Sequence, residues 1–123
     1  MQVYDLMRCM EFGRTLPGVD PAKISIAARD DMSVVALYSA LMDGNCESLI
    51  LRNPPETQDL ASDTYGKGAA TEMLNCLRIT DVYQIPALLL PTSIYFAGQI
   101  PPAYVWSQDL LAKLGKKQFI SIP

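Results

Sequence analysis

Residues 23–43 constrain the fold most, because they join two types of secondary structure through a very short turn. In residues 23–28, apolar side chains alternate with other residues, which is the period of a β-strand. In residues 32–43, the apolar side chains recur with helical spacing, at Val34, Leu37, Tyr38 and Leu41. Only residues 29–32 remain for the turn, so the strand must run almost directly into the helix.

The rest of the chain continues this alternation of helices and strands. Helical spacing predicts helices over residues 2–12, 69–78, 82–89 and 101–114, and short apolar runs predict strands over residues 48–53, 92–97 and 118–122. The order α-β-α-β-α-β-α-β predicts an α/β fold with a parallel sheet of about four strands and right-handed crossovers. We expect a single domain to occupy residues 1–123.

Two finer predictions concern the second half of the chain. Thr80 and Asp81 directly precede the helical spacing of residues 82–89 and are expected to cap that segment. In the helix at residues 101–114 we expect one apolar face, formed by Ala103, Trp106, Leu110 and Leu114. Trp106 is therefore expected in the core rather than as a stacking platform for a sugar ring.

The composition excludes several classes of function. The sequence contains no histidine, so the chain cannot supply an imidazole base of its own. Its net charge is −3 and its ten Lys and Arg residues are scattered, which argues against a nucleic-acid partner. No apolar run is long enough for a membrane span, and no spacing is typical of a cofactor or metal site. The absence of a secretory signal and of paired cysteines favours a cytoplasmic location.

Several stretches together resemble one known family. They are the turn Leu-Pro-Gly-Val-Asp-Pro-Ala-Lys-Ile at residues 16–24, the helical residues 35–43, Asn-Pro-Pro at residues 53–55, and the segments at residues 73–82 and 88–91. In this order and spacing the chain is similar to the C-terminal half of the acetyl-xylan-esterase-like α/β-hydrolases. That family is related to dienelactone hydrolase and to the catalytic domain of prolyl oligopeptidase.

The resemblance implies a nucleophile elbow in which Asp30 takes the position of the nucleophile. Ala28 and Met32 replace the two glycines of the elbow, and the bulk of Met32 predicts a relaxed corner. The family's acid would follow the third strand, yet residues 98–102 contain no carboxylate. The family's histidine would follow the last strand, beyond Pro123. We therefore expect a catalytically degenerate hydrolase-like domain that acts through assembly or binding.

Other interpretations stay open. An aspartate at the elbow is the nucleophile in the dehalogenase and epoxide-hydrolase branches of the fold, where a histidine-activated water cleaves the resulting ester. The chain would then be part of a carboxylic ester hydrolase whose histidine and acid come from a partner or a missing segment. Alternatively, Asp30 and Asp31 simply cap the following helix. A further hypothesis is a truncated reading frame without a function of its own.

The resemblance to half of a larger sheet also has a physical implication. Helices that follow right-handed crossovers in one direction lie mainly on one face, whereas a parallel sheet is normally covered on both faces. We therefore expect an exposed apolar face and an unpaired edge at the strand of residues 23–28. The expected occupant of these surfaces is a second copy of the chain, forming a homo-oligomer, or a complementary chain.

Overall fold

The computed structural model of the protein describes residues 2–59, 76–116 and 119–122. The α-helices are α1 (Gln2–Thr15), α2 (Met32–Asp43), α3 (Ile85–Leu88) and α4 (Val105–Lys113). The strands are β1 (Ser25–Arg29), β2 (Ser48–Arg52), β3 (Ser93–Ala97) and β4 (Phe119–Ile122). Short 3₁₀ helices lie at Cys76–Arg78, Val82–Gln84 and Pro102–Tyr104. Within these ranges, no helix combines the length and apolar character required to cross a bilayer.

The strands form a parallel sheet in which the spatial order β1-β2-β3-β4 is also the order in the sequence. Ala27 of β1 lies beside Ile50 of β2, and Ile50 lies beside Tyr95 of β3. The predicted α/β fold is confirmed, and every predicted strand begins and ends within two residues of its observed bounds. In the described part of the chain β1 pairs with β2 alone, so β1 is an edge strand.

One face of the sheet carries the hydrophobic core. Its central side chains are buried, namely Ile26, Leu49, Leu51, Ile94 and Phe96. α2 packs on β1 and β2, while the Phe96 ring meets the Tyr104 ring edge-on, with 5.4 Å between the ring centres. The helices therefore lie mainly on one face of the sheet, as predicted.

α2 is the most enclosed helix of this layer. Every residue from Ser33 to Ala40 is buried, because α2 contacts the sheet on one side and both α1 and α3 on others. Two of its side-chain hydroxyls have internal partners: Ser39 Oγ donates to Val3 O at 3.3 Å, and Tyr38 Oη donates to Gln58 Oε1 at 2.7 Å. The buried hydroxyl of Ser33 has no hydrogen-bond partner among the described residues. A helix surrounded in this way needs an apolar sequence on every side, and residues 32–42 carry no charge.

The other helices differ in part from the predictions. α1 continues past Gly13 to Thr15 instead of ending near the glycine. Most of the helix predicted at residues 69–78 lies outside the described residues. The segment predicted at residues 82–89 consists of a 3₁₀ turn followed by α3. Its predicted cap is confirmed, because the Asp81 carboxylate accepts from the N–H of Val82 and the Gln84 side chain accepts from the N–H of Asp81.

The predicted buried face of the last helix is wrong by one position. Trp106 and Leu114 are exposed, whereas Tyr104, Ser107 and Leu111 are buried. The reason is hydrogen bonding: Ser107 Oγ donates to Tyr83 O at 2.6 Å, and Tyr104 Oη donates to Pro55 O at 2.8 Å. Polar atoms satisfied in this way can be buried. Trp106 instead lies edge-on to Tyr83 at the surface.

A charged clamp joins the C-terminal ends of α1 and α2. The guanidinium group of Arg14 donates to both carboxylate oxygens of Asp43, at 2.7 and 2.6 Å, and also to Asn45 O at 2.9 Å. Only 16% of the Arg14 side chain and 8% of the Asp43 side chain are exposed. The hydrogen bonds from Arg14 hold the pKa of Asp43 below its ordinary value. The clamp therefore stabilises the folded state as long as Asp43 is ionised.

We predict that Arg14→Ala lowers the free energy of unfolding by about 1–3 kcal/mol at neutral pH, because it removes charge-assisted hydrogen bonds. Arg8→Ala is the matched control, since Arg8 pairs with Glu11 on the exposed surface of α1. We expect this control to cost less than about 1 kcal/mol. The pKa of Asp43 is lowered in the folded state. The native protein should therefore be more stable than Arg14→Ala at pH values above the ordinary aspartate pKa. This difference in stability should shrink as the pH falls through the lowered pKa. Urea denaturation of both variants, at neutral and acidic pH, measures this; equal losses for the two variants would contradict it.

Candidate functional site

The sharp corner between β1 and α2 lies at the carboxyl edge of the sheet. Only Asp30 and Asp31 separate the strand from the helix. Asp30 has a φ of +50°, in the left-handed region that residues other than glycine rarely adopt. Its N–H donates to Arg52 O at 3.0 Å, and its carbonyl accepts from the N–H of Ser33 at 2.9 Å. These bonds tie the corner both to the neighbouring strand and to the first turn of the helix.

The Asp30 carboxylate is exposed and has a specific partner on the next strand. Asn53 directly follows β2, and its side-chain amide donates to Asp30 Oδ1 at 2.8 Å. Asn53 also has a positive φ, of +49°. The structure therefore places two left-handed polar residues side by side at the ends of adjacent strands. The sequence interpretation missed Asn53, although an asparagine between a strand and Pro54 is a residue type that tolerates this conformation.

Two predictions about the corner are wrong. The bulk of Met32 does not relax it, because the Met32 side chain is 49% exposed and leaves the φ of Asp30 positive. Side-chain capping of α2 is not observed either. Asp31 occupies the N-cap position with a helical backbone and makes no side-chain capping hydrogen bond, while the Asp30 side chain turns to Asn53. The corner thus turns sharply at a left-handed residue although it contains no glycine.

The loop after β3, where the resemblance implied an acid, receives a carboxylate from elsewhere in the chain. Residues 98–102 follow β3 and carry no carboxylate, but a carboxylate from another loop reaches the next residues. Glu56 Oε2 accepts from the N–H of Ala103 at 2.9 Å. The sequence did not indicate this role of Glu56, since nothing in its spacing predicts a contact with a residue so distant in the chain. This bond positions the start of the last helical segment and has no histidine to orient.

The second face of the sheet changes character from one end to the other. At its amino end lie Ser25, Ser48 and Ser93, and Ser48 Oγ donates to Ser25 Oγ at 2.7 Å. In the middle lie Ala27, which is exposed, and Ile50 and Tyr95, which are half-buried. The expected open apolar face is therefore present as a central band that continues on β3 and β4 to Ala97 and Ile122.

On β1 and β2, the carboxyl end of the same face is positively charged. Arg29 and Arg52 are register partners on β1 and β2, so their side chains leave the same face of the sheet, and both are exposed. The ion pairs found within the described ranges join Arg8 to Glu11 and Arg14 to Asp43. Neither Arg29 nor Arg52 is thus ion-paired in that part of the chain.

A groove of about 540 Å³ lies beside β1 and extends across the sheet as far as Ala97 of β3, and we call it the edge groove. Its walls are mostly aliphatic and come from α1, α2 and the first three strands. The lining residues are Leu6, Ile26, Ala27, Ala28, Arg29, Met32, Ala36, Ile50, Arg52 and Ala97. A concave apolar surface with a few convergent polar groups is typical of a binding site.

Comparisons with known proteins add no identification. No family model matches the chain, and no curated protein or solved structure matches it either. Among the described residues, no group of three His, Cys, Asp or Glu side chains is arranged to hold a metal ion. The candidate site therefore consists of the Asp30 corner, the edge groove and the two arginines.

We predict that Asn53→Ala lowers the free energy of unfolding by about 1–2 kcal/mol, because it removes a hydrogen bond and places a β-carbon with no polar group at positive φ. Asn53→Gly is the matched variant: it loses the same hydrogen bond but adopts this φ freely. Urea denaturation should show a smaller loss for Asn53→Gly. A larger loss for the glycine variant would contradict the assignment of strain to this corner.

Proposed function

We propose that this chain is a catalytically degenerate α/β-hydrolase-like domain that functions by binding another polypeptide along the free edge of β1. The observation that carries the proposal is the edge groove, where an aliphatic surface accompanies a strand edge with which no other described strand pairs. Exposed strand edges are templates for pairing with another chain, and proteins that do not use them blunt them with charge, proline or a covering segment. β1 has a small residue, Ala27, at its centre.

The lack of histidine supports binding rather than catalysis. The Asp30 corner presents a carboxylate without any imidazole in the chain to activate water. Asn53 already occupies one oxygen of that carboxylate. A corner with these partners holds β1 and α2 in place, and the adjacent groove offers the surface for a partner.

Self-association of the purified chain tests this proposal, because a second copy is the occupant present when no other partner is supplied. We expect sedimentation velocity to show association that increases with concentration in the micromolar range. Ala27→Lys places a charge in the middle of the edge strand and should weaken association by about tenfold or more.

Ala112→Lys is the matched control, since Ala112 is exposed on α4, in the helical layer. It should leave association unchanged. A chain that stays monomeric across this range, or equal effects of the two lysine substitutions, would refute assembly through the β1 edge.

A second candidate function is ester hydrolysis with a histidine and an acid supplied by a partner. The positive φ of Asp30 favours it, because the nucleophile elbow of α/β-hydrolases is a strained turn that exposes its nucleophile between strand and helix. The carboxylate of Asp30 is exposed at this corner. The partner would have to deliver its imidazole to the carboxyl edge of the sheet.

Hydrolysis of p-nitrophenyl acetate separates the two candidates. Under the leading proposal, the purified chain and its Asp30→Asn and Asp31→Asn variants release p-nitrophenol at the same rate as one another, because the sequence contains no histidine to activate water at Asp30. Asp31→Asn is the control for the neighbouring exposed carboxylate. Turnover that disappears in Asp30→Asn and persists in Asp31→Asn would establish the second candidate instead.

A further inference from the structure

The edge groove lies on both sides of the sheet at once. Leu6, Met32 and Ala36 line it from the helical side, together with the inward side chain of Ile26. Ala27 and Ile50 line it from the open face. A compact ligand would occupy one side only, because β1 itself separates the two walls. An added β-strand occupies both, since its successive side chains point to opposite faces.

The backbone of β1 is arranged for such an addition. The N–H of Asp30 donates to Arg52 O, and Ile24 O accepts from the N–H of Glu47, so the even-numbered residues of this segment face β2. In a parallel pair the intervening residues direct their N–H and C=O groups away from that neighbour. Ser25, Ala27 and Arg29 therefore present the backbone groups that an added strand would bind.

The charges beside this edge define the chemistry of the added strand. Arg29 and Arg52 are adjacent across the β1–β2 pair, and like charges at such positions are destabilising. The carboxylate next to Arg29 in the sequence, Asp30, accepts a hydrogen bond from Asn53. A carboxylate on the added strand, placed beside Arg29 on the open face, would offset the repulsion between the two arginines. It would also accept hydrogen bonds from the guanidinium N–H groups.

We propose that the edge of β1 binds an extended segment of a different chain, with apolar residues at alternate positions and an Asp or Glu beside Arg29. This inference deepens the proposed function and depends on it. A second copy pairing through its own β1 supplies Ser25, Ala27 and Arg29 on this face and therefore no carboxylate. A second copy therefore binds the edge only when no acidic segment is present, as in the purified chain. The acidic segment is the preferred occupant.

Selection from random dodecapeptides displayed on phage tests the inference without knowledge of the natural partner. The chain is immobilised at low density, so that copies do not pair with one another. We expect the selected peptides to alternate apolar residues and to carry an Asp or Glu. An acidic peptide from this selection should bind the native chain about tenfold more tightly than a version with Gln or Asn in place of the acid. The affinity of the acidic peptide for the Arg29→Glu/Arg52→Glu double variant should be lower than for the native chain by a similar factor.

Arg78→Glu is the matched control, because Arg78 is exposed and lies outside the edge groove. It should bind the acidic peptide as the native chain does. Peptides that alternate apolar residues without acids, or acidic peptides that bind the charge-reversed variant equally well, would overturn the carboxylate assignment. The sedimentation result would then still stand as the separate test of edge assembly. The selected peptides should also inhibit the self-association that Ala27→Lys weakens. If no selected peptide does so, the edge of β1 does not bind an extended segment.

Discussion

The burial of α2 on every side is the constraint on which the rest of the structure depends. A helix without charge between Asp31 and Asp43 has to be surrounded by the sheet, α1 and α3, and this fixes the layer in which all these helices lie. Because that layer covers one face of the sheet, the opposite face is left with its own serines, central apolar band and arginines. The Arg14–Asp43 clamp closes α1 over α2 where both helices end. Core, open face and free edge are therefore consequences of a single enclosed helix.

The Asp30 corner turns the chain sharply from strand to helix without a glycine. The corner retains a left-handed residue between strand and helix, held by Arg52 O and by the Asn53 side chain. These bonds hold Asp30 in a conformation that glycine adopts more readily. A carboxylate that is exposed, hydrogen-bonded and without a histidine is well suited to fastening two strands and a helix together. The surface beside it, not the carboxylate, offers the larger area for recognition.

The sheet was predictable from the sequence because its strands are short apolar runs bounded by Pro, Gly and Asn, and their order with the helices dictates a parallel arrangement. The buried face of α4 was not predictable. Ser107 and Tyr104 are buried because backbone carbonyls of Tyr83 and Pro55 accept their hydroxyl protons, and periodicity contains no information about such distant partners. The pairing of Arg29 with Arg52 was hidden for a similar reason, since it depends on the register between two strands. Residue type indicated where the candidate site lies, whereas tertiary contacts determined which side chains meet there.

The strand order has a consequence for how this domain is made. Because each described strand pairs with the described strand that precedes it in the sequence, this sheet can be extended one strand at a time as the chain leaves the ribosome. New strands are added at the β2, then the β3, then the β4 side of the sheet. The edge of β1 that faces away from β2 is therefore present from the first strand pairing onward. A partner that recognises this margin can therefore be captured during synthesis, when the nascent sheet is smallest and gains most from an added strand.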